Sequence, residues 1–298
     1  MTVLTRRRFL TISAACAAVP AMAGTWAQWR GVALGAPASL RLEGVTETQA
    51  APIFAAVEAE LDRLETIFSL YRTQSQISQL NRTGRLSAPA PELLEVLSLC
   101  SVLHDASGGA FDPSIQPLWL ALASGAAQPN VDRARQTIGW DKVRVGADEV
   151  HLPHPGQSAI TLNGIAQGAI TDRIAALLRS FDLHNVLVDM GEVAALGRRR
   201  IGEQWHIGLA TPDGMVAKRV RLQDRAVATS APEGTMLQGD QGHILDPMGI
   251  GVTFRAVSVS APQAALADGL STALCLTPKS EANGLVSQFP GAIIEMLI

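Results

Sequence analysis

Apolar residues recur along this chain at two different periods, and the way these are interleaved limits the fold more than any other feature. Ile53, Val57, Leu61, Leu64 and Phe68 stand three or four apart, with Pro52 near the first turn. That spacing predicts an amphipathic helix whose other face carries Glu58, Glu60, Asp62 and Glu65. A second helix is expected over about 91–106, stopped by Ser107-Gly108-Gly109, and a third with Ile170, Ile174, Leu177 and Phe181 on one stripe. Short β-type runs occupy 185–190, 205–211, 216–222, 226–230 and 256–260. A last helix at about 263–275 precedes a terminal strand at 292–297. Helical and strand periods alternate without a regular strand-helix-strand repeat, and there is neither an internal repeat nor a long linker. The expected class is therefore α+β, mixed sheets with packed helices, rather than a doubly wound sheet.

Composition narrows the functions open to such a fold. Hydrophobic residues make up 47% of the 298 and charged residues 17%, so the chain can bury a core and is not disordered. A formal net charge of -3 gives no electrostatic reason to expect a nucleic-acid partner. Cys16, Cys100 and Cys275 cannot build a disulfide framework, and no spacing typical of structural zinc is present. No stretch reaches the roughly 18 to 20 apolar residues that crossing a bilayer requires.

The first residues read as an address. Thr5-Arg6-Arg7-Arg8-Phe9-Leu10 is followed by an Ala-rich apolar run and then Ala21-Met22-Ala23 before Gly24. This is a charged region, a short apolar region and a small-residue cleavage site, and it looks like a twin-arginine signal over 1–23. The remaining 24–298 form a single domain, expected in the periplasm after cleavage near Ala23. Ser13-Ala14-Ala15-Cys16 lacks the leucine of a lipoprotein site, so Cys16 is read as a small apolar residue of the signal.

Common catalytic motifs are missing: no phosphate loop, no G-x-G-x-x-G, no H-E-x-x-H and no G-x-S-x-G. Four local patterns carry chemistry instead. Asn163-Gly164-Ile165-Ala166-Gln167-Gly168 runs into the third helix, where small residues admit a ligand to the backbone and free N–H groups suit a pyrophosphate, although a glycine before a helix is also an ordinary turn. Asp268 and Thr272 are four apart and share a helical face, where a carboxylate and a hydroxyl can hold a hard cation or simply bond each other. His243, in Gly242-His243-Ile244-Leu245-Asp246-Pro247, can take a proton near neutrality or be satisfied within its loop. Tyr71, the one tyrosine of the chain, is either a stacking platform or ordinary packing.

In order along the chain these patterns resemble the ApbE family of FAD:protein FMN transferases, enzymes that join FMN through a phosphodiester to a threonine or serine of another protein. The resemblance covers about 31–298. It takes in Phe68-Ser69 with Tyr71, Ser75-x-Ile77-Ser78-x-Leu80-Asn81, Gly109-Ala110-Phe111-Asp112-Pro113-Ser114 and Gly164-Ile165-Ala166-x-Gly168. It continues through Leu187-Val188-x-Met190-Gly191-Glu192, Ala228-Thr229-Ser230, the His243 motif and Ala267-Asp268-x-Leu270-x-Thr272-Ala273-Leu274.

The resemblance implies an ApbE-like fold and an enzyme that takes FMN from FAD, releasing AMP. It implies that Tyr71 stacks on the isoalloxazine ring, and that the Ala166 carbonyl with the side chains of Asp268 and Thr272 surrounds Mg2+ beside the FAD pyrophosphate. It further implies that His243 is the general base, with Asp246 in the same motif, and that Gly164, Glu192, Thr229 and Ser230 line the flavin site. Gln167, Thr161, Met190 and Met248 depart from the residues common in the family, which puts contacts around the site in question. The family's acceptor segment, roughly Asp-Gly-x-Thr/Ser-Gly-Ala-Thr/Ser, is imitated at Asp268-Gly269-Leu270-Ser271-Thr272-Ala273, but Leu274 at the acceptor position has no hydroxyl, so the acceptor is a separate protein. The signal without a lipid anchor resembles the NosX subgroup, accessory to nitrous oxide respiration, whose acceptor is a membrane-bound electron-transfer flavoprotein. The alternatives are an Mg2+-dependent FAD pyrophosphatase yielding FMN and AMP, and a non-catalytic flavin carrier or assembly factor.

Overall fold

The structure, a computed structural model, describes residues 25–199, 202–238 and 241–298, so the expected signal at 1–23 lies outside the described residues. Along the chain come β1 (Trp26–Ala33), β2 (Ala36–Glu43), α1 (Glu47–Phe68), α2 (Gln76–Thr83), β3 (Arg85–Ser87) and α3 (Pro91–Ala106). Then follow α4 (Gln116–Ala123), α5 (Gln128–Gln136), β4 (Arg144–Val145), β5 (Glu149–His151), α6 (Ala166–Ser180), β6 (Val186–Asp189) and β7 (Val193–Leu196). The last third holds β8 (Trp205–Ala210), β9 (Val216–Leu222), β10 (Arg225–Ser230), β11 (Val257–Ala261), α7 (Ala264–Leu276), α8 (Ala282–Ser287) and β12 (Ile293–Leu297).

Seven strands form one sheet in the order β1-β2-β6-β7-β10-β11-β12, every neighbouring pair antiparallel. Side chains alternate between its two faces, and both are covered. Val186, Val188, Ala194 and Ala226 join the main core with the helices, while Leu187, Val193, Ala195 and Val227 meet Trp205, Ile207, Leu209 and Val220 of the β8–β9 hairpin. The result is three layers: hairpin, sheet, helices.

The helix over 47–68 buries Ile53, Val57, Leu61, Leu64 and Phe68 as expected. It begins before Pro52, because Thr46 and Gln49 form a reciprocal capping box that satisfies the first N–H groups. One expected stripe is shortened. Phe181 lies beyond α6 and is 42% exposed, because Asp182 turns the chain at φ 60 and Leu183 closes the end by donating its N–H to the Leu178 carbonyl. The helix over 264–276 is followed by α8 and so is not the last.

The contact that matters most for function is between α6 and α7. Asp172 of α6 caps α7, accepting the N–H groups of Ala264 at 2.8 Å and Ala265 at 2.9 Å. A Cβ at Gly168 would stand 2.4 Å from the Ala264 carbonyl oxygen, so only glycine allows the two backbones to meet there. No helix of the described residues is long and apolar enough to cross a membrane.

Candidate active site

The close packing of α6 on α7 brings the Gly-rich turn onto the helix that carries Asp268 and Thr272. A Cβ at Gly164 would lie 2.9 Å from Thr272 Oγ1, and Gly168 donates its N–H to Asp268 Oδ2 at 3.0 Å. Ser230, at the end of β10, reaches Ser271 Oγ at 2.7 Å and Thr272 Oγ1 at 3.1 Å. Three segments far apart in sequence thus converge on one helical face.

This face borders a cavity of about 260 Å³. Eight of the ten expected site residues line it: Tyr71, Gly164, Glu192, Thr229, Ser230, His243, Asp268 and Thr272. The other two do not. Ala166 is buried at the first residue of α6, with its N–H given to Leu162, while its neighbours Gly164 and Gln167 reach the cavity. Asp246 faces its own loop, accepting the N–H of Met248 and of Gly251 at 2.8 Å each.

Tyr71 stands in the bend after α1 and is 62% exposed at the cavity edge. That bend is fixed by Ser69, whose Oγ accepts the N–H groups of Tyr71 and Arg72 and whose carbonyl accepts the hydroxyls of Ser75 and Ser78. Arg72 is anchored in turn to Asp62 and Glu65 of α1.

His243 is held by the turn that begins at Pro232. Its Nδ1–H donates to the Pro232 carbonyl at 2.9 Å, shorter than the 3.3 Å approach of the Thr235 N–H, and its backbone N–H goes to the same carbonyl. A carbonyl can only accept, so the shorter contact favours the tautomer with the proton on Nδ1 over the one that would take the Thr235 N–H, and that tautomer leaves the Nε2 lone pair available. Burial lowers the His243 pKa, favouring the neutral imidazole. Leu245, two residues on, packs with Leu118 of α4 and Val131 of α5 and ties this loop to a small satellite core.

The charges around the cavity are one-sided. Glu192, whose carboxylate accepts the Thr229 N–H at 3.2 Å, is pushed up by burial and by the neighbouring Asp268 and Asp189. Burial also raises Asp268, and pushes Asp189 up to about 6. No Lys or Arg ion pair reaches these three acids among the described residues. Buried carboxylates without a cationic partner are costly, and a bound cation would remove the cost. No cluster of three or more His, Cys, Asp or Glu among the described residues forms a complete metal site by itself. One carboxylate and one hydroxyl, Asp268 and Thr272, on the same side of a cavity lined by acids without a cationic partner nevertheless suit Mg2+, which keeps few protein ligands and takes the rest from phosphate or water. The donor set present therefore fits Mg2+.

Sequence reasoning missed Asp189 and Trp119, which also line the cavity, and it named Asn163 and Gln167 only as members of the Gly-rich turn, without a place in the site. Gln167 had a signal in the neighbouring turn. Gly191 has φ 105, and a Cβ there would sit 2.2 Å from Gln167 Nε2, so that glycine makes room for the glutamine.

A helix layer and a hairpin layer on one antiparallel sheet, meeting at a cavity with an acidic helix face and a neutral histidine, give this chain the fold of the flavin transferases. The flavin transferase ApbE from Vibrio cholerae aligns with a TM-score of 0.80 at 21% identity, over 91% of this chain and 94% of that one. The ApbE protein of Thermotoga maritima aligns with a TM-score of 0.75 at 25% identity, over 92% and 94%. In sequence, the FAD:protein FMN transferase of Treponema pallidum is 28% identical, covering 84% of this chain and 79% of its own length. The ApbE family profile matches residues 34–297, and the chain belongs to the ApbE family.

Proposed function

We propose that this protein is an exported, Mg2+-dependent FAD:protein FMN transferase. The observation that carries the reading is the convergence of Gly164, Asp268 and Thr272 on one side of a cavity that His243 also borders. A base and an acidic, oxygen-rich face in one cavity are what transfer from a pyrophosphate requires.

In the proposed step an acceptor hydroxyl attacks the FMN phosphorus of FAD. The new phosphorus–oxygen bond forms as the bond to the AMP phosphate breaks, and AMP leaves with that electron pair. The hydroxyl proton passes to His243 Nε2, whose orientation is set by the Nδ1–H bond to Pro232. Asp268 and Thr272, with the Ala166 carbonyl, would hold Mg2+, which when bound supplies neutralisation of phosphate charge. Tyr71 packs the flavin ring at the rim, and Glu192, Thr229 and Ser230 border the substrate. Asp246 acts on the loop of His243 rather than on the reacting atoms, through its two backbone bonds.

The acceptor is read as a membrane-bound electron-transfer flavoprotein of the kind served by the NosX subgroup, met in the periplasm after twin-arginine export. Incubation with FAD, Mg2+ and a candidate acceptor domain tests the activity: the acceptor should gain the mass of FMN while AMP appears in equal amount. AMP without acceptor mass gain would make the protein a pyrophosphatase, and neither product would make it a carrier.

A further inference from the structure

Six consecutive residues beside the histidine loop, 248–253, are exposed. Three are large and apolar: Met248 at 57%, Ile250 at 81% and Val252 at 43% exposure. Gly249 and Gly251 separate them at φ 75 and 114, and a Cβ at Gly251 would meet nothing within 4 Å. Burying a core gives no reason to leave three such side chains in water within one short loop.

Nor is the loop slack. The Asp246 carboxylate, 9% exposed, holds the Met248 and Gly251 N–H groups at 2.8 Å each, and the Asp246 carbonyl accepts the Gly249 N–H at 3.2 Å. Thr253 then donates its N–H to the Cys275 carbonyl at the end of α7, at 2.8 Å. The ridge is therefore shaped before any partner arrives, which removes an ordering cost from binding.

The ridge is also continuous with the site. Asp246 lies three residues after His243, and Leu245 between them is packed on α4 and α5. On the other side of His243, a bridge pairs Gly242 with Met236, which is 49% exposed. Apolar side chains thus flank the base along the chain in both directions. Residues 247–253 carry no ionisable side chain; the Arg135 guanidinium of α5 approaches Gly249, where a Cβ would lie 3.3 Å from its Nη1, so the ridge is apolar along its own length with a cation at one edge.

We propose that Met248, Ile250 and Val252, with Met236, form the docking surface for the acceptor protein. It seats an extended apolar segment that adjoins the hydroxyl residue receiving FMN. The inference rests on the transferase reading above. A hydroxyl group alone offers little to bind, so the affinity that brings a protein acceptor to His243 must come from contacts outside the cavity, and this ridge is an exposed apolar surface that begins five residues along the chain from His243.

The test uses a carrier protein with Asp-Gly-Leu-Thr-Gly-Ala-Thr placed in an exposed loop, flanked by two leucines in one version and two serines in the other. The wild-type protein should show a lower KM for the leucine carrier. The triple variant Met248→Ser/Ile250→Ser/Val252→Ser should raise that KM about tenfold, the scale of losing one or two buried apolar contacts, and abolish the preference. Its kcat at saturating carrier and its Kd for FAD should stay at the wild-type values. A variant with unchanged KM for the leucine carrier overturns the docking surface while leaving the transferase reading intact. Loss of FAD binding or kcat with KM unchanged overturns it too, since the loop would then be serving the cavity. If the wild-type protein modifies neither carrier, nor a natural flavoprotein domain, the transferase reading itself fails. Sedimentation and flotation with phosphatidylcholine/phosphatidylglycerol vesicles cover the other occupants. A wild-type dimer, or vesicle binding, that the triple variant loses would assign the ridge to a second copy or to a membrane and overturn the proposal.

Discussion

If His243 is the proposed base, its burial and the contact of Nδ1 with the Pro232 carbonyl give it a working range that extends into mild acid. Its pKa is lowered by burial, and only the unprotonated form can accept the acceptor proton, so the acid limb of the transfer rate should fall below the ordinary histidine value of about 6.5. His243→Asn should keep FAD affinity, slow transfer by roughly 10²- to 10⁴-fold and lose that limb; a pH–rate profile of both proteins checks it. At Tyr71 the ring rather than the hydroxyl is expected to matter. Tyr71→Ala should weaken FAD binding by about 1 kcal/mol and Tyr71→Phe by little, read from FAD fluorescence titrations. Single residues of this kind were the legible part of the site, because the sequence motifs fix residue type and order. The job of Asp246 was not legible. An Asp-Pro beside a histidine looks the same on paper whether its carboxylate faces a substrate or its own loop, and only the N–H groups of Met248 and Gly251 show which.

At the level of elements, α7 is the unusual one, a helix buried nearly all round whose sole charged residue is Asp268. If Asp268 and Thr272 hold Mg2+, Asp268→Ala removes the one side-chain anion of the proposed set and should abolish transfer, whereas Thr272→Ala loses a neutral ligand that water can replace. Transfer rate against Mg2+ concentration separates them: added metal should partly rescue the threonine variant and not the aspartate variant. Both rely on α7 being placed by Asp172, so Asp172→Ala should cost about 1 kcal/mol of stability, the usual worth of a helix N-cap, seen as a lower urea midpoint at unchanged slope. Helices with a long apolar stripe, at 47–68, 91–106 and 166–180, could be read from spacing alone. The β1–β2 hairpin could not. Its inward positions include Ala27, Ala33 and Ala38, whose small side chains give little contrast with the polar residues between them. The short α4 and α5 were missed for a related reason, since eight or nine residues leave few turns in which a period can show.

Across the whole molecule, both faces of the seven-stranded sheet are covered, and the cavity opens where helix layer, sheet and hairpin β8–β9 meet. The α+β class was legible because the two periods never settle into a strand-helix-strand repeat. The strand order was not, since β2 pairs with β6 across about half the sequence and no local pattern announces such a partner. If the first residues are the proposed twin-arginine signal, Arg6→Lys with Arg7→Lys should strand the precursor in the cytoplasm, and immunoblots of periplasmic and cytoplasmic fractions check it. The cap on α7 bears on timing during synthesis. Asp172 leaves the ribosome 92 residues before the Ala264 N–H that it binds, and Thr272 emerges later still. The first two-thirds of the nascent chain can gather a core around α1 and α3 while the catalytic face does not yet exist. The cavity can close only when the last third arrives, so in this fold the site is completed late, with only α8 and β12 still to follow α7.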